Sequence, residues 1–131
     1  MPPRGKLIMA SHRTGCDAIF CSRGEIILKI AASFSSGRLI VYLSGELDHH
    51  EAGGAIRAIS TLIEEHMPRE CVMDLSGLSF MDSSGIAVII NAGRKMRTYG
   101  GRLRVENPPE QARKVLEASG IDRLIAVAMN S

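Results

Sequence analysis

Three groups of residues have the types and spacing to do chemistry. The first is Asp82-Ser83-Ser84-Gly85, which sets two hydroxyls beside a carboxylate immediately before the apolar run Ile86-Ala87-Val88-Ile89-Ile90. Leu78-Ser79-Phe80-Met81 ahead of it belongs to an apolar strand region, so the serines fall where a strand gives way to a helix. A hydroxyl there sits among N–H groups without intrahelical partners, at the positive end of the helix dipole. It can carry a phosphoryl group at low electrostatic cost, and the added charge would change what docks against the loop. Two other readings compete with this one. In the first, one serine caps the helix and the other is solvated. In the second, a serine is an acyl-transfer nucleophile at a strand-to-helix turn, which requires flanking glycines and a later histidine. Met81 stands where a glycine would precede Ser83, Asp82 and Ile86 take both glycine positions around Ser84, and no histidine follows Ser84. The nucleophile reading is the weakest of the three.

The second group is Asp48-His49-His50-Glu51. Two histidines beside two carboxylates suggest a metal site or a general base. Adjacent residues on a helix point about 100° apart, however, so His49 and His50 are poorly placed to chelate one ion. Asp48 followed three residues later by Glu51 matches a capping box with Asp in the role of Ser or Thr. The third group is His12, Cys16 and Cys21, which lacks a fourth ligand and a regular spacing, so no metal site is expected there. Cys71 lies in an apolar strand and reads as core. Three cysteines without framework spacing point to reduced thiols in a cytoplasm.

Arg94, Lys95, Arg97, Arg102 and Arg104 gather near the end of the helix that follows Ser84, where cations complement the dipole. With a net charge of +2 and only 4% aromatic residues, no nucleic-acid partner is expected. No apolar run approaches roughly 18 residues, so no membrane span is expected, and the N-terminus does not resemble a secretory signal. No glycine-rich phosphate cradle of the Walker type is present, and no cofactor is expected.

The elements that must position these groups follow from periodicity. Residues 1–24 show no sustained pattern and contain Pro2, Pro3, Gly5, Gly15 and Gly24, which predicts an irregular N-terminal extension. Residues 25–131 are expected to form one domain. Ile26–Ile30 and Leu39–Leu43 read as strands around a Ser35-Ser36-Gly37 turn, a hairpin pattern. A helix is expected from Glu51 to His66, with Ala52, Ala55, Ile56, Ile59, Leu62, Ile63 and Met67 on one face and Pro68 as its stop. Cys71–Leu75 is a short strand. The next helix, Ser84–Tyr99, turns Ile86, Ile89, Ile90, Gly93 and Met96 inward and ends at Gly100-Gly101. Leu103–Val105, a helix from Asn107-Pro108-Pro109-Glu110 to Gly120, and Leu124–Val127 complete the order β-β-α-β-α-β-α-β. Alternation of this kind implies an α/β domain with a mostly parallel sheet, opened by an antiparallel hairpin and flanked by helices.

Ser44-Gly45-Glu46-Leu47-Asp48-His49-His50, Met73-Asp74-Leu75-Ser76-Gly77-Leu78 and Phe80-Met81-Asp82-Ser83-Ser84-Gly85 together resemble the bacterial anti-sigma factor antagonists of the STAS domain family. The likeness continues through Gly100-Gly101, Pro108 and Leu116-x-x-Ser119-Gly120-Ile121, and covers roughly residues 26 to 127. It implies a protein without catalysis of its own that is phosphorylated on the second serine of the motif, Ser84. The kinase would be an anti-sigma factor that is also an ATP-dependent serine protein kinase. The unphosphorylated form would bind that anti-sigma factor and release the sigma factor; a metal-dependent serine phosphatase would restore it. Asp48, Asp82, Ser83, Ser84 and Gly85 would form the docking surface. A STAS scaffold, or a small-ligand or nucleotide-sensing subunit, is the alternative the resemblance leaves open.

Overall fold

A computed structural model describes the backbone of residues 5–9, 18–22 and 28–128, and the side chains of residues 28–125. The main sheet has five strands: β3 (Leu28–Ser35), β4 (Arg38–Leu47), β5 (Glu70–Met81), β6 (Arg102–Glu106) and β7 (Ala126–Ala128). They lie side by side in chain order, with β3 antiparallel to β4 and every later pairing parallel. Three helices fill the crossovers: α1 (His49–His66), α2 (Ser83–Thr98) and α3 (Glu110–Ser119). The expected mixed α/β sheet opened by a hairpin is therefore present.

The hairpin closes through Ser36 and Gly37, whose φ angles of 53° and 79° are both left-handed. Positive φ at both central residues gives a type I′ turn, which matches the twist of the strands it joins. The Gly37 carbonyl accepts from the N–H of Arg69 at 2.8 Å, tying the turn to the start of β5. Because β4 through β7 advance in one direction, right-handed crossovers place all three helices on one face. On that face Leu39, Val41 and Leu43 of β4, Cys71, Met73 and Leu75 of β5, and Leu103 and Val105 of β6 are buried. The opposite face carries exposed Tyr42 and the ion pairs Arg38–Glu70 and Arg104–Glu106. Burial pushes the Cys71 thiol up to about 12, helped by the neighbouring Glu70 charge, so it is an inert core residue.

Several expectations are corrected. Within the region expected to be irregular, β1 (Gly5–Met9) and β2 (Ala18–Ser22) pair antiparallel, from Gly5↔Ser22 to Met9↔Ala18. Leu7-Ile8-Met9 and Ile19-Phe20-Cys21 supply the β-prone residues, which the surrounding prolines and glycines mask. The proposed ligands His12 and Cys16 lie outside the described residues, as does the side chain of Cys21. Strand β5 runs on through Ser76 and Gly77 to Met81, burying Leu78 and Met81 as well as Leu75. In α1, Met67 is the left-handed C-cap (φ 45°) and is 60% exposed rather than core. In α2 the buried stripe is Gly85, Val88, Ile89, Ala92 and Met96, so Ile86, Ile90 and Gly93 lie to one side of it. The last strand starts at Ala126, because Gly120 in the left-handed region leads into a 3-10 turn at Ile121–Arg123.

Asp74 joins β5 to the loop between β6 and α3. Burial works against its ionisation, but hydrogen bonds outweigh that and hold its carboxyl below the usual carboxylate range. They come from Ser76 Oγ at 2.6 Å, Ser76 N at 2.9 Å and Asn107 Nδ2 at 3.1 Å. A carboxyl depressed in the folded state stabilises fully above its unfolded pKa, and this is lost as pH falls through the folded value. The stability difference between wild type and Asp74→Asn, read as the shift in urea midpoint, is expected to be widest at neutral pH. It should narrow below about pH 4.

Candidate functional site

The two motifs singled out by composition meet at one end of the sheet. Parallel pairing brings Leu47 of β4 opposite Met81 of β5, so the next residues, Asp48 and Asp82, leave the sheet at the same level. The N–H of Asp82 donates to the Leu47 carbonyl at 3.2 Å, which locks the two strand ends together. Both aspartates then cap helices. Asp48 Oδ1 accepts from the N–H groups of His50 at 3.0 Å and Glu51 at 3.1 Å. Asp82 Oδ1 accepts from the N–H of Ser84 at 2.8 Å. Two helix N-termini therefore open beside each other past the carboxyl ends of parallel strands, the place where open α/β sheets usually carry their sites.

Gly85 makes this convergence possible. A Cβ there would stand 2.4 Å from Met81 Cγ, 2.6 Å from Met81 Sδ and 3.2 Å from Leu47 Cδ2. Only a residue without a side chain lets the first turn of α2 rest directly on both strand ends.

The adjacent serines face different neighbours. Ser84, Asn91 and Lys95 fall on one stripe of α2 at a spacing of seven and four. Lys95 is ion-paired with Glu64 of α1, so the Ser84 stripe looks toward α1. Ser84 is half-buried and Ser83 exposed. Ser83 lies with Ile86 along a groove of about 490 Å3 shared with Gln111, Lys114 and Val115 of α3. Neither hydroxyl makes a hydrogen bond to the described residues, so both remain available to an external group.

His49 and His50 are exposed, with ring centroids 3.9 Å apart and planes tilted by 39°. Glu51 sits in the cap as expected, its N–H donating to Asp48 Oδ1, and is buried at 3% exposure. Among the described residues no three His, Cys, Asp or Glu side chains converge as metal ligands. The basic residues split up: Lys95 reaches α1, Arg104 pairs with Glu106 at 3.1 Å, and Arg94, Arg97 and Arg102 line a separate groove.

Two residues at this end of the molecule escaped the sequence reading. Phe80 is 42% exposed and pairs with Glu46 across β4 and β5. Its place between the buried Leu78 and Met81 was the available signal, provided the strand was extended that far. Gln111, on the first turn of α3, binds both backbone groups of Met81, and nothing in its sequence neighbourhood announces this.

Comparison with known proteins decides the family. The STAS domain model matches residues 12–131, beginning inside the stretch expected to be an extension. The chain belongs to the STAS domain family. The anti-sigma F factor antagonist of Paenibacillus polymyxa is 34% identical over 105 residues, covering 79% of this chain and 88% of that protein. Among solved structures, the anti-sigma factor antagonist SpoIIAA in its unphosphorylated form is 29% identical. That likeness has a TM-score of 0.66 and covers 77% of this chain and 89% of the other. The phosphorylated form of SpoIIAA from Bacillus also matches, with a TM-score of 0.59 at 29% identity, covering 77% of this chain and 92% of that one. No helix among the described residues of this STAS protein is long and apolar enough to cross a membrane.

Loss of either cap should cost stability without unfolding the domain. Asp82→Ala and Asp48→Ala are each expected to lower the unfolding free energy by about 1 kcal/mol. Asn at either position should retain most of it, since its side-chain oxygen still accepts. Urea denaturation of the four variants checks this.

Proposed function

We propose that this protein is an anti-sigma factor antagonist switched by phosphorylation of Ser84. The unphosphorylated form binds an anti-sigma factor that is also its serine protein kinase, and so frees a sigma factor. A serine phosphatase returns the modified protein to the binding form. The protein acts in the cytoplasm and needs no cofactor, nucleic acid or membrane.

The observation that carries this reading is the position of Ser84. Its N–H is held by the Asp82 cap at 2.8 Å, while its hydroxyl is left without a partner among the described residues. It lies level with the Asp48-capped start of α1, in a chain related to proteins named anti-sigma factor antagonists. One such relative, SpoIIAA, is known in unphosphorylated and phosphorylated forms. The docking surface comprises Asp48, Asp82, Ser83, Ser84 and Gly85, and Phe80 adds an exposed aromatic of the kind that anchors interfaces.

Elementary electrostatics supplies the switch. A phosphoserine adds about −1.5 to −2 charges and three acceptor oxygens at pH 7. The positive end of the α2 dipole stabilises that charge within the domain. A partner surface complementary to a neutral hydroxyl beside two carboxylates would lose contacts and gain repulsion. Each ~1.4 kcal/mol of lost affinity is a factor of ten, so a modest local penalty separates the two states without refolding. Catalysis by the serine is disfavoured because all four histidines precede it in the chain, opposite to the order in α/β-hydrolases.

Incubation with the cognate anti-sigma kinase and ATP is expected to add one phosphate to the wild type and none to Ser84→Ala. Mass-spectrometric mapping of the phosphate to any other residue would overturn the assignment. Ser84→Asp should bind the anti-sigma factor at least about tenfold more weakly by calorimetry; equal affinity would rule out a charge-based switch.

A further inference from the structure

Strand β5 is supported unequally along its length. Its pairing with β6 ends at Asp74↔Glu106, whereas its pairing with β4 continues to Leu47↔Met81. The β6-side edge of β5 therefore has no strand partner where it approaches the serine motif. At Met81 the side chain of Gln111 takes the place of one. Gln111 Oε1 accepts from the Met81 N–H at 2.8 Å, and Gln111 Nε2 donates to the Met81 carbonyl at 2.8 Å. A carboxamide offers the same donor and acceptor as a peptide group, so one side chain stands in for a strand residue.

The clasped residue is the one from which the serine loop hangs. Asp82 follows it directly, holds Ser84 through its carboxylate, and bonds Leu47 through its own N–H. The Met81 side chain is also the surface against which Gly85 packs. Gln111 itself is exposed, and it lines the same groove as Ser83. Its bonds to Met81 thus do not contribute to the core, but they fix the height and direction of the chain entering α2.

We propose that Gln111 is a positioning residue for the phosphate-accepting loop, through which α3 controls how Ser84 is presented. This rests on the reading of Ser84 as the acceptor.

Amide hydrogen exchange by NMR on the full chain tests the clasp without any kinase. In Gln111→Leu, exchange at Met81 and Ser84 is expected to quicken roughly tenfold or more while amides in α1 and β6 keep their protection. Gln111→Glu gives an independent chemical check. Its carboxylate can accept from the Met81 N–H but faces the Met81 carbonyl without a donor, and protonation restores the donor. Protection at Met81 and Ser84 in Gln111→Glu should therefore rise toward the wild-type value as pH falls through about 4, after correction for intrinsic rates. Unchanged exchange in Gln111→Leu, or uniform acceleration at every amide, would overturn the clasp.

With the kinase present, Gln111→Leu should lower kcat for Ser84 phosphorylation more than it raises KM, because docking persists while the acceptor is misaligned. A loosened loop phosphorylated at the wild-type rate would overturn the positioning role. Absence of phosphorylation in the wild type would instead refute the acceptor reading, and the exchange measurements would still decide the clasp.

Discussion

The level ending of β4 and β5 is the constraint on which the rest of this molecule depends. Leu47 and Met81 face each other only because β5 absorbs two residues more than β4 on the way. One is taken up opposite Tyr42–Ser44 and the other opposite Gly45–Glu46. Gly77 permits the first of these irregularities, since a Cβ there would stand 2.6 Å from Ser44 Cβ. Ser79 Oγ, which donates to the Gly45 carbonyl at 3.1 Å, stitches the second. Removing either irregularity would carry Met81 past Leu47 and separate the two aspartate caps. A bulge is usually treated as a local kink, but here two of them set the relative height of two helices.

Once the strand ends are level, the site needs little further machinery. Each aspartate occupies its own helix terminus, so the negative charges at this end are already engaged with backbone N–H groups. The serine between them is presented by backbone geometry rather than by a network of catalytic side chains. Such a site suits recognition, in which a partner reads the difference between a hydroxyl and a phosphate. Among the described residues neither serine hydroxyl is hydrogen-bonded to a side chain of the kind that activates a serine nucleophile.

Most of the site was legible because its signals are local. A cap is written in a few consecutive residues, and Asp48 occupies the expected role; at α2 the cap is Asp82 rather than one of the serines, which are the first two residues of the helix. The hairpin turn is equally local, being set by Ser36-Gly37. The missing parts depend on tertiary contacts. Ser76-Gly77 reads as a turn, and only pairing with β4 keeps it in a strand. The inward face of α2 includes Ile89 and Met96 as expected, but it is centred on Val88 and Ala92, while Ile86 and Ile90 pack against the core only in part and border grooves. Met67 follows the apolar spacing of α1, but the left-handed cap turns it to solvent. Gln111 was invisible for the same reason in reverse: a polar residue on an exposed helix turn has no sequence mark of the backbone it will hold.

The order of strands in the main sheet carries a consequence for the life of the chain. Each strand from β4 to β7 pairs with the one made just before it. The sheet can therefore grow from one edge as the polypeptide emerges from the ribosome, and no early strand must wait unpaired for a distant segment. The aspartate caps of α1 and α2 come together as soon as β5 has docked. Helix α3, whose Gln111 bonds the backbone of Met81, is made later than the loop beside which it packs.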